Sequence, residues 1–244
     1  MDPIKQFEVE KKQRIAQQGT NEPLKSAANR FQEESIAALY SYNFSWMGRP
    51  VIQYPQDLMA MQEILWEIKP DLVIETGIAH GGSLIFYASI LELIGKGEVL
   101  GIDIDIRPHQ RKAIEPHPMY KRIRMIEGSS IDPTTLEKVS RQCADKKRIL
   151  VALDSNHTFD HVYQEMELYS SFVTRGSYLI VFDTIIERLP DDLYPDRPWG
   201  KGDNPETAVS NFLKKNERFV IDTVITDKLL ITVAPGGYLK CIKD

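Results

Sequence analysis

Residues 151–161 read VALDSNHTFDH, so that Asp154, His157, Asp160 and His161 follow directly on an apolar run that begins at Ile149. A further aspartate, Asp183, closes a similar run, SYLIVFD. Carboxylate oxygens at the ends of two neighbouring strands suit a divalent cation such as Mg²⁺ or Mn²⁺. Adjacent strands lie about 4.8 Å apart, and two bare carboxylates at that separation repel until a cation joins them. The competing reading is a helix cap, because Asp154, Ser155, Asn156 and Thr158 all carry capping chemistry before a helix starting near Phe159. His157 lies nearer the strand end and is the candidate general base, or holder of an acceptor hydroxyl. The H-x-x-x-H spacing to His161 lacks the intervening Glu of a metalloprotease and is a weak zinc signal.

A second constellation is IETGIAHGGS, residues 74–83. Gly77, Gly81 and Gly82 allow a sharp turn and close approach of a ligand to the backbone, and the helix that follows offers free N–H groups. The spacing from Glu75 is E-x-G-x-x-x-G, not the G-x-G-x-x-G of dinucleotide enzymes. An acid there opposes a pyrophosphate and favours a cationic ligand. Asp103, 26 residues beyond Gly77, stands where an acidic residue reaches ribose hydroxyls in nucleotide folds. Asp105 shares its face of an extended chain, but Asp103 is nearer the strand end. In EGSSID, residues 127–132, Ser129, Ser130 and Asp132 are either ligand contacts or a capping turn.

The elements that must position these groups alternate. LVIET (72–76), EVLGID (98–103), RIRMIEG (122–128), RILVALD (148–154) and SYLIVFD (177–183) are short β-prone runs separated by helical patterns. They predict a mostly parallel sheet covered on both faces. GGSLIFYASILELIGKG reads as a buried helix stopped by Gly95 and Gly97, and the stripe Phe159, Val162, Met166, Tyr169, Phe172 reads as core. Asp57 is a plausible N-cap for a helix over 58–68. In FVIDTVITDKLLITVAPGGYLKCI, extended runs at 219–226 and 228–233 are expected to pair antiparallel across a turn too short for a helix. Residues 1–50 read as an N-terminal helical extension and 51–244 as the main domain. The stretch ERLPDDLYPDRPWGKGDNP, 187–205, is expected to be a substrate lid, with Trp199 as a stacking surface for a sugar and Arg197 or Lys201 as a handle for an anion.

Composition narrows the partners. The chain has 244 residues, 42% hydrophobic and 27% charged, with a net charge of −5, which gives no reason to expect nucleic acid. Only Cys143 and Cys241 are present, neither a disulfide framework nor a zinc cluster. No apolar run is long enough to span a membrane, and a cytoplasmic location is expected. The N-terminal helices suggest a homo-oligomer.

Taken together, WMGRPVIQYPQD (46–57), IETGIAHGGS, GIDID, EGSS, LDSNHTFDHV and VFDT resemble the cephalosporin hydroxylase family, which includes rhamnosyl O-methyltransferases. The resemblance implies a Rossmann-like, doubly wound α/β fold with a mostly parallel seven-stranded sheet and a C-terminal antiparallel hairpin. It implies S-adenosylmethionine held by Glu75, Gly77, Gly81, Ser83, Asp103, Ser129, Ser130 and Asp154. It also implies Mg²⁺ on Asp154 with acidic residues after the next strand, here Asp183 and Glu187. Some members carry an acidic pair where this chain has Phe182 and Asp183. The family name misleads, because a hydroxylase of that kind needs an iron site of two His and one carboxylate on a different, barrel-like scaffold. The expected reaction is metal-dependent methyl transfer to a hydroxyl of a sugar, diol or other small polar natural product, with Asp154 and His157 at the chemistry. The rivals are an NAD-dependent oxidoreductase, disfavoured by E-x-G-x-x-x-G, and a silent S-adenosylmethionine-binding protein, which Phe182 keeps open.

Overall fold

The computed structural model describes residues 2–190 and 193–244. Two helices, α1 (Pro3–Gly19) and α2 (Glu22–Ala37), lead into a two-strand ribbon, β1 (Ser45–Trp46) and β2 (Arg49–Pro50). The main layer system follows as α3 (Pro55–Ile68), β3 (Leu72–Thr76), α4 (Gly82–Ile94), β4 (Glu98–Asp103), α5 (Pro108–Ile114), β5 (Ile123–Glu127), α6 (Pro133–Cys143), β6 (Ile149–Leu153), α7 (Phe159–Tyr169) and β7 (Tyr178–Val181). It closes with α8 (Pro205–Leu213), β8 (Phe219–Ile221), α9 (Thr223–Leu229) and β9 (Tyr238–Cys241). The seven-stranded sheet has the order β5-β4-β3-β6-β7-β9-β8, with the first five strands parallel and β9 antiparallel to both its neighbours. The predicted fold class holds.

Every residue of β3 and of β6 is buried, as central parallel strands covered on both faces require. Alternation sends Val73, Val99, Leu150 and Ile180 to one core with α3 and α4, and Ile74, Leu100, Val151 and Leu179 to the other with α7 and α8. The strand order reverses between β3 and β6, and at such a switch point the carboxyl ends of the strands open a crevice. Gly77, at φ 88, lets the two ends close: a Cβ there would lie 1.9 Å from the Asp154 carbonyl oxygen.

The terminal hairpin differs from expectation. β8 and β9 do pair antiparallel, but β9 is Tyr238–Cys241 and helix α9 occupies the middle of the two runs read as strand. The β-branched residues are overridden by packing, because Ile225 and Leu229, four apart, face the core as one helical stripe. Asp57 is also not a cap. The helix starts at Pro55 after Tyr54, and Asp57 is fully buried, accepting from Thr232 Oγ1, Val233 N at 3.0 Å and Tyr238 OH at 2.8 Å. Loss of hydration pushes its carboxyl up to about 6.

The N-terminal helices are stitched to that same C-terminal region. Gln18 Nε2 donates to the Asp227 and Lys228 carbonyls, both at 3.1 Å, and the buried Gln32 amide donates to the Thr232 carbonyl. Among the described residues, no helix is long and apolar enough to cross a membrane.

Candidate active site

Above the switch point lies a cavity of about 470 Å³, within the range of small-molecule sites. Its two halves differ in chemistry. Gly77, Asp103, Ile104, Ser129 and Ser130 line one half, and His157, Asp183, Tyr194 and Trp199 line the other.

In the first half Asp103 Oδ2 accepts from Ile78 N at 2.8 Å and Ala79 N at 3.4 Å, so the carboxylate holds the glycine turn while facing the cavity. Ile104, next in sequence, is 73% exposed and presents bare apolar surface to the cavity. A carboxylate beside an uncovered isoleucine suits a nucleoside, with hydroxyls to accept from and a flat base to cover. Sequence reasoning passed over Ile104, although its place between Asp103 and Asp105 in GIDID was the signal.

Glu75 and Ser83 turn away from this half. Glu75 is fully buried, accepting from Ser83 Oγ at 2.6 Å and Tyr87 OH at 3.0 Å, and burial pushes its carboxyl up to about 8. The free, charged acid expected from E-x-G-x-x-x-G is thus a sealed group beneath the turn. Gly81 opens α4 at φ 77, against the side chain of Ile114.

In the second half β6 and β7 are neighbours in register, Leu153 beside Val181, which brings the residues after them together. One ligand atom each from Asp154, His157 and Asp183 fall within 4.8 Å of one another. His157 Nε2 lies 3.2 Å from Asp183 Oδ2. Asp154 accepts from Gln53 Nε2 at 3.2 Å, and its carboxyl is raised well above the usual carboxylate range by burial, by the Asp183 charge and by Glu75. Two carboxylates and an imidazole so placed lack positive charge, and a divalent cation would supply it. Glu187 does not join them: its carboxylate accepts from Gly202 N at 2.8 Å and from the Asn204 amide, fixing the far end of the 187–205 loop. Phe182, at the position of an expected ligand, is buried in the core.

The capping reading of the 154–158 turn holds only in part: Asn156 Oδ1 accepts from Thr158 N at 2.9 Å, whereas Asp154 and Ser155 bond elsewhere. Thr158 is the N-cap of α7 without a side-chain bond, and Phe159 N donates to Asp203 Oδ1 at 2.6 Å, a residue from the far end of the loop. Asp154 is left for the site. Behind the turn, α7 presents His161, Glu165 and Tyr169 on one face. His161 Nε2 lies 3.2 Å from Ser130 Oγ, 3.3 Å from Ser155 Oγ and 3.4 Å from Glu165 Oε1, and Ser155 Oγ donates to Glu165 at 2.8 Å. This network ties the nucleoside wall to the Asp154 turn. Glu165 was overlooked because a lone Glu inside an apolar stripe reads as surface.

The profile of the rhamnosyl O-methyltransferase/CmcI family matches residues 38–242, through both halves of the cavity. The chain belongs to that family. A curated rhamnosyl O-methyltransferase of Mycobacterium tuberculosis is 32% identical over 199 residues, covering 80% of this chain and 77% of that one. A Mycobacterium leprae counterpart is 34% identical over 148 residues, covering 60% and 62%. Among solved structures, apo CmcI superposes with a TM-score of 0.63 at 19% identity, covering 83% of this chain and 78% of that one. CmcI with Mg and SAM gives 0.59 at 19% identity, with the same coverage. These two show the shared fold. Membership of the rhamnosyl O-methyltransferase/CmcI family makes this chain an S-adenosylmethionine-dependent O-methyltransferase, and the NAD-dependent reading falls.

Proposed function

We propose that the chain methylates one hydroxyl of a sugar or similar polar diol, with a divalent cation, Mg²⁺ first among them, at Asp154 and Asp183. The convergence of Asp154, His157 and Asp183 at the acceptor end of a cavity whose other end suits a nucleoside carries this reading. The names of the relatives support it: rhamnosyl O-methyltransferases by sequence, and CmcI with Mg and SAM by fold.

The residues have separable tasks. Asp103, Ile104, Ser129 and Ser130 would hold the adenosine of the methyl donor, whose sulfonium supplies the methyl group. Gly77 admits it by keeping the β3 turn low. Asp154 and Asp183 would hold the cation, which when bound lowers the pKa of a coordinated hydroxyl. In a neutral imidazole one ring nitrogen donates and the other accepts. His157 Nε2 lies 3.2 Å from Asp183 Oδ2; in the tautomer whose proton is on Nε2 the basic atom is Nδ1, which would take the acceptor proton as the oxygen bonds to the methyl carbon. Tyr194 and Trp199 line this end, where they would limit the access of water to a bound acceptor. Trp199 packs edge-on against His157, with centroids 5.7 Å apart, so the loop touches the proposed base.

Calorimetric titration with S-adenosylhomocysteine and separately with Mg²⁺, in the wild type and in Asp154→Ala, tests the reading. Micromolar binding of the first in both proteins, with a Mg²⁺ heat that only the variant lacks, is expected. A Mg²⁺ heat unchanged in Asp154→Ala would overturn the cation site.

A further inference from the structure

Methyl transfer to a neutral hydroxyl leaves one residue of the cavity without a task. Among the described lining residues the acids are Asp103 and Asp183 and the imidazoles are His157 and His161, and Arg197 alone is a permanent cation. Its guanidinium carbon lies 5.9 Å from the Trp199 ring centroid. Trp199 is held between His157 and Tyr194, at 5.7 and 5.1 Å. The exposed guanidinium therefore lies within cation–π reach of an indole that is itself in contact with His157 and Tyr194, one ring away from the Asp154, His157 and Asp183 cluster. Such a contact uses the charge of the guanidinium and leaves its N–H donors for other partners. Among the described residues, no carboxylate forms an ion pair with Arg197, although Arg188, which lines a separate, smaller pocket, pairs with Glu206 at 3.2 Å.

A neutral sugar does not call for such a group, because its hydroxyls are served by acids, amides and an aromatic face. A planar fork of donors at the acceptor end, steadied by Trp199, matches a carboxylate or a phosphate. The charge of the cavity agrees. A divalent cation, when bound, would offset Asp154 and Asp183 at that end, so that they would not repel an anion that reaches Arg197.

We infer that Arg197, in cation–π contact with Trp199, is an anion subsite and that the acceptor is an acidic sugar. Its methylated hydroxyl would lie at Asp154 and Asp183, and its carboxylate or phosphate would reach Arg197. This rests on the methyl-transfer reading and narrows its substrate class.

The test is direct binding, measured on the 244-residue protein saturated with S-adenosylhomocysteine and Mg²⁺. The probes are 4-nitrophenyl glucoside, 4-nitrophenyl glucuronide and 4-nitrophenyl glucoside 6-phosphate, each against wild type, Arg197→Gln and Arg197→Lys. In the wild type at least one anionic probe is expected to bind about tenfold more tightly than the neutral glucoside. That preference disappears in Arg197→Gln and is partly kept in Arg197→Lys, and the favoured anion tells uronate from phosphate. Three results overturn the subsite: no preference for an anion, a preference that survives Arg197→Gln, or no binding of any probe while S-adenosylhomocysteine still binds. Failure of S-adenosylhomocysteine itself to bind would instead remove the transferase reading, and the subsite with it.

Discussion

His157 Nε2 and Asp183 Oδ2 lie 3.2 Å apart, joining the turn after β6 to the turn after β7. Asp183 reaches this position from a left-handed backbone, φ 56, a conformation that Asp and Asn tolerate better than other side chains. The substitution Asp183→Asn therefore keeps the turn and removes only the charge. Cation affinity should fall about 10- to 100-fold, and methyl transfer about 100-fold or more, with S-adenosylhomocysteine affinity unchanged. Calorimetry beside a turnover assay checks it, and an equal loss of nucleoside binding would show that the turn itself had moved.

The two acids of the nucleoside half should separate. Asp103 faces the cavity and holds two amides of the glycine turn, so Asp103→Ala is expected to weaken S-adenosylhomocysteine about 10- to 100-fold. Glu75 faces Ser83 and Tyr87, and Glu75→Gln, which mimics its neutral form, should cost about threefold or less at pH 7. Binding isotherms of both variants at one pH decide this, and a larger loss for Glu75→Gln would exchange the roles of the two acids.

Two left-handed glycines allow the contact between β3 and β6 to be weighed. Gly77→Ala places a methyl 1.9 Å from the Asp154 carbonyl oxygen, whereas Gly95→Ala, at φ 86, meets nothing within 4 Å. Backbone strain alone should cost the Gly95 variant about 1–2 kcal/mol. The Gly77 variant should lose roughly 4 kcal/mol or more, because backbone must move as well. Urea unfolding of the pair measures the difference, and similar midpoints would mean that the strand ends yield easily.

Asp57 sets a pH dependence that lies outside the site. Its folded pKa, about 6, is above the ordinary value of 3.8, so the folded protein binds the proton more tightly than the unfolded chain. The stability this contributes is complete below about pH 4 and is lost as pH rises through 6. At about 1.4 kcal/mol per unit the loss is about 3 kcal/mol. Asp57→Asn stays neutral, so its unfolding free energy should lack that decline between about pH 4 and 7. Parallel slopes for the two proteins would place the titration elsewhere.

What was legible in the sequence was whatever period and strand position determine. LVIET and RILVALD are buried on both faces and read as strands at once, and the aspartates closing two such runs met because adjacent parallel strands end together. Three things escaped. Ile225 and Leu229 form a helical stripe inside a β-branched run, and only the partner surface chooses between the two periods. Asp57 sits one turn into a helix where a cap would be read, yet its partners are some 175 residues away in sequence. Glu187 and Asp203 look like ligands or solvated acids in one dimension, but each accepts from a backbone N–H distant in sequence, Gly202 N and Phe159 N. Charge type alone does not reveal which of several acids the fold has already employed.

Helix α2 and the turn after it place Ile36, Ser41 and Tyr42 in the cavity wall, and of these Ile36 precedes the start of the family profile at residue 38. The strand ends that carry the proposed chemistry and the surface that would greet the acceptor thus come from different stretches of the chain. Relatives can inherit one reaction and diverge in diet by rewriting a single helix and the loop opposite it, without disturbing the strand ends where the bond is made.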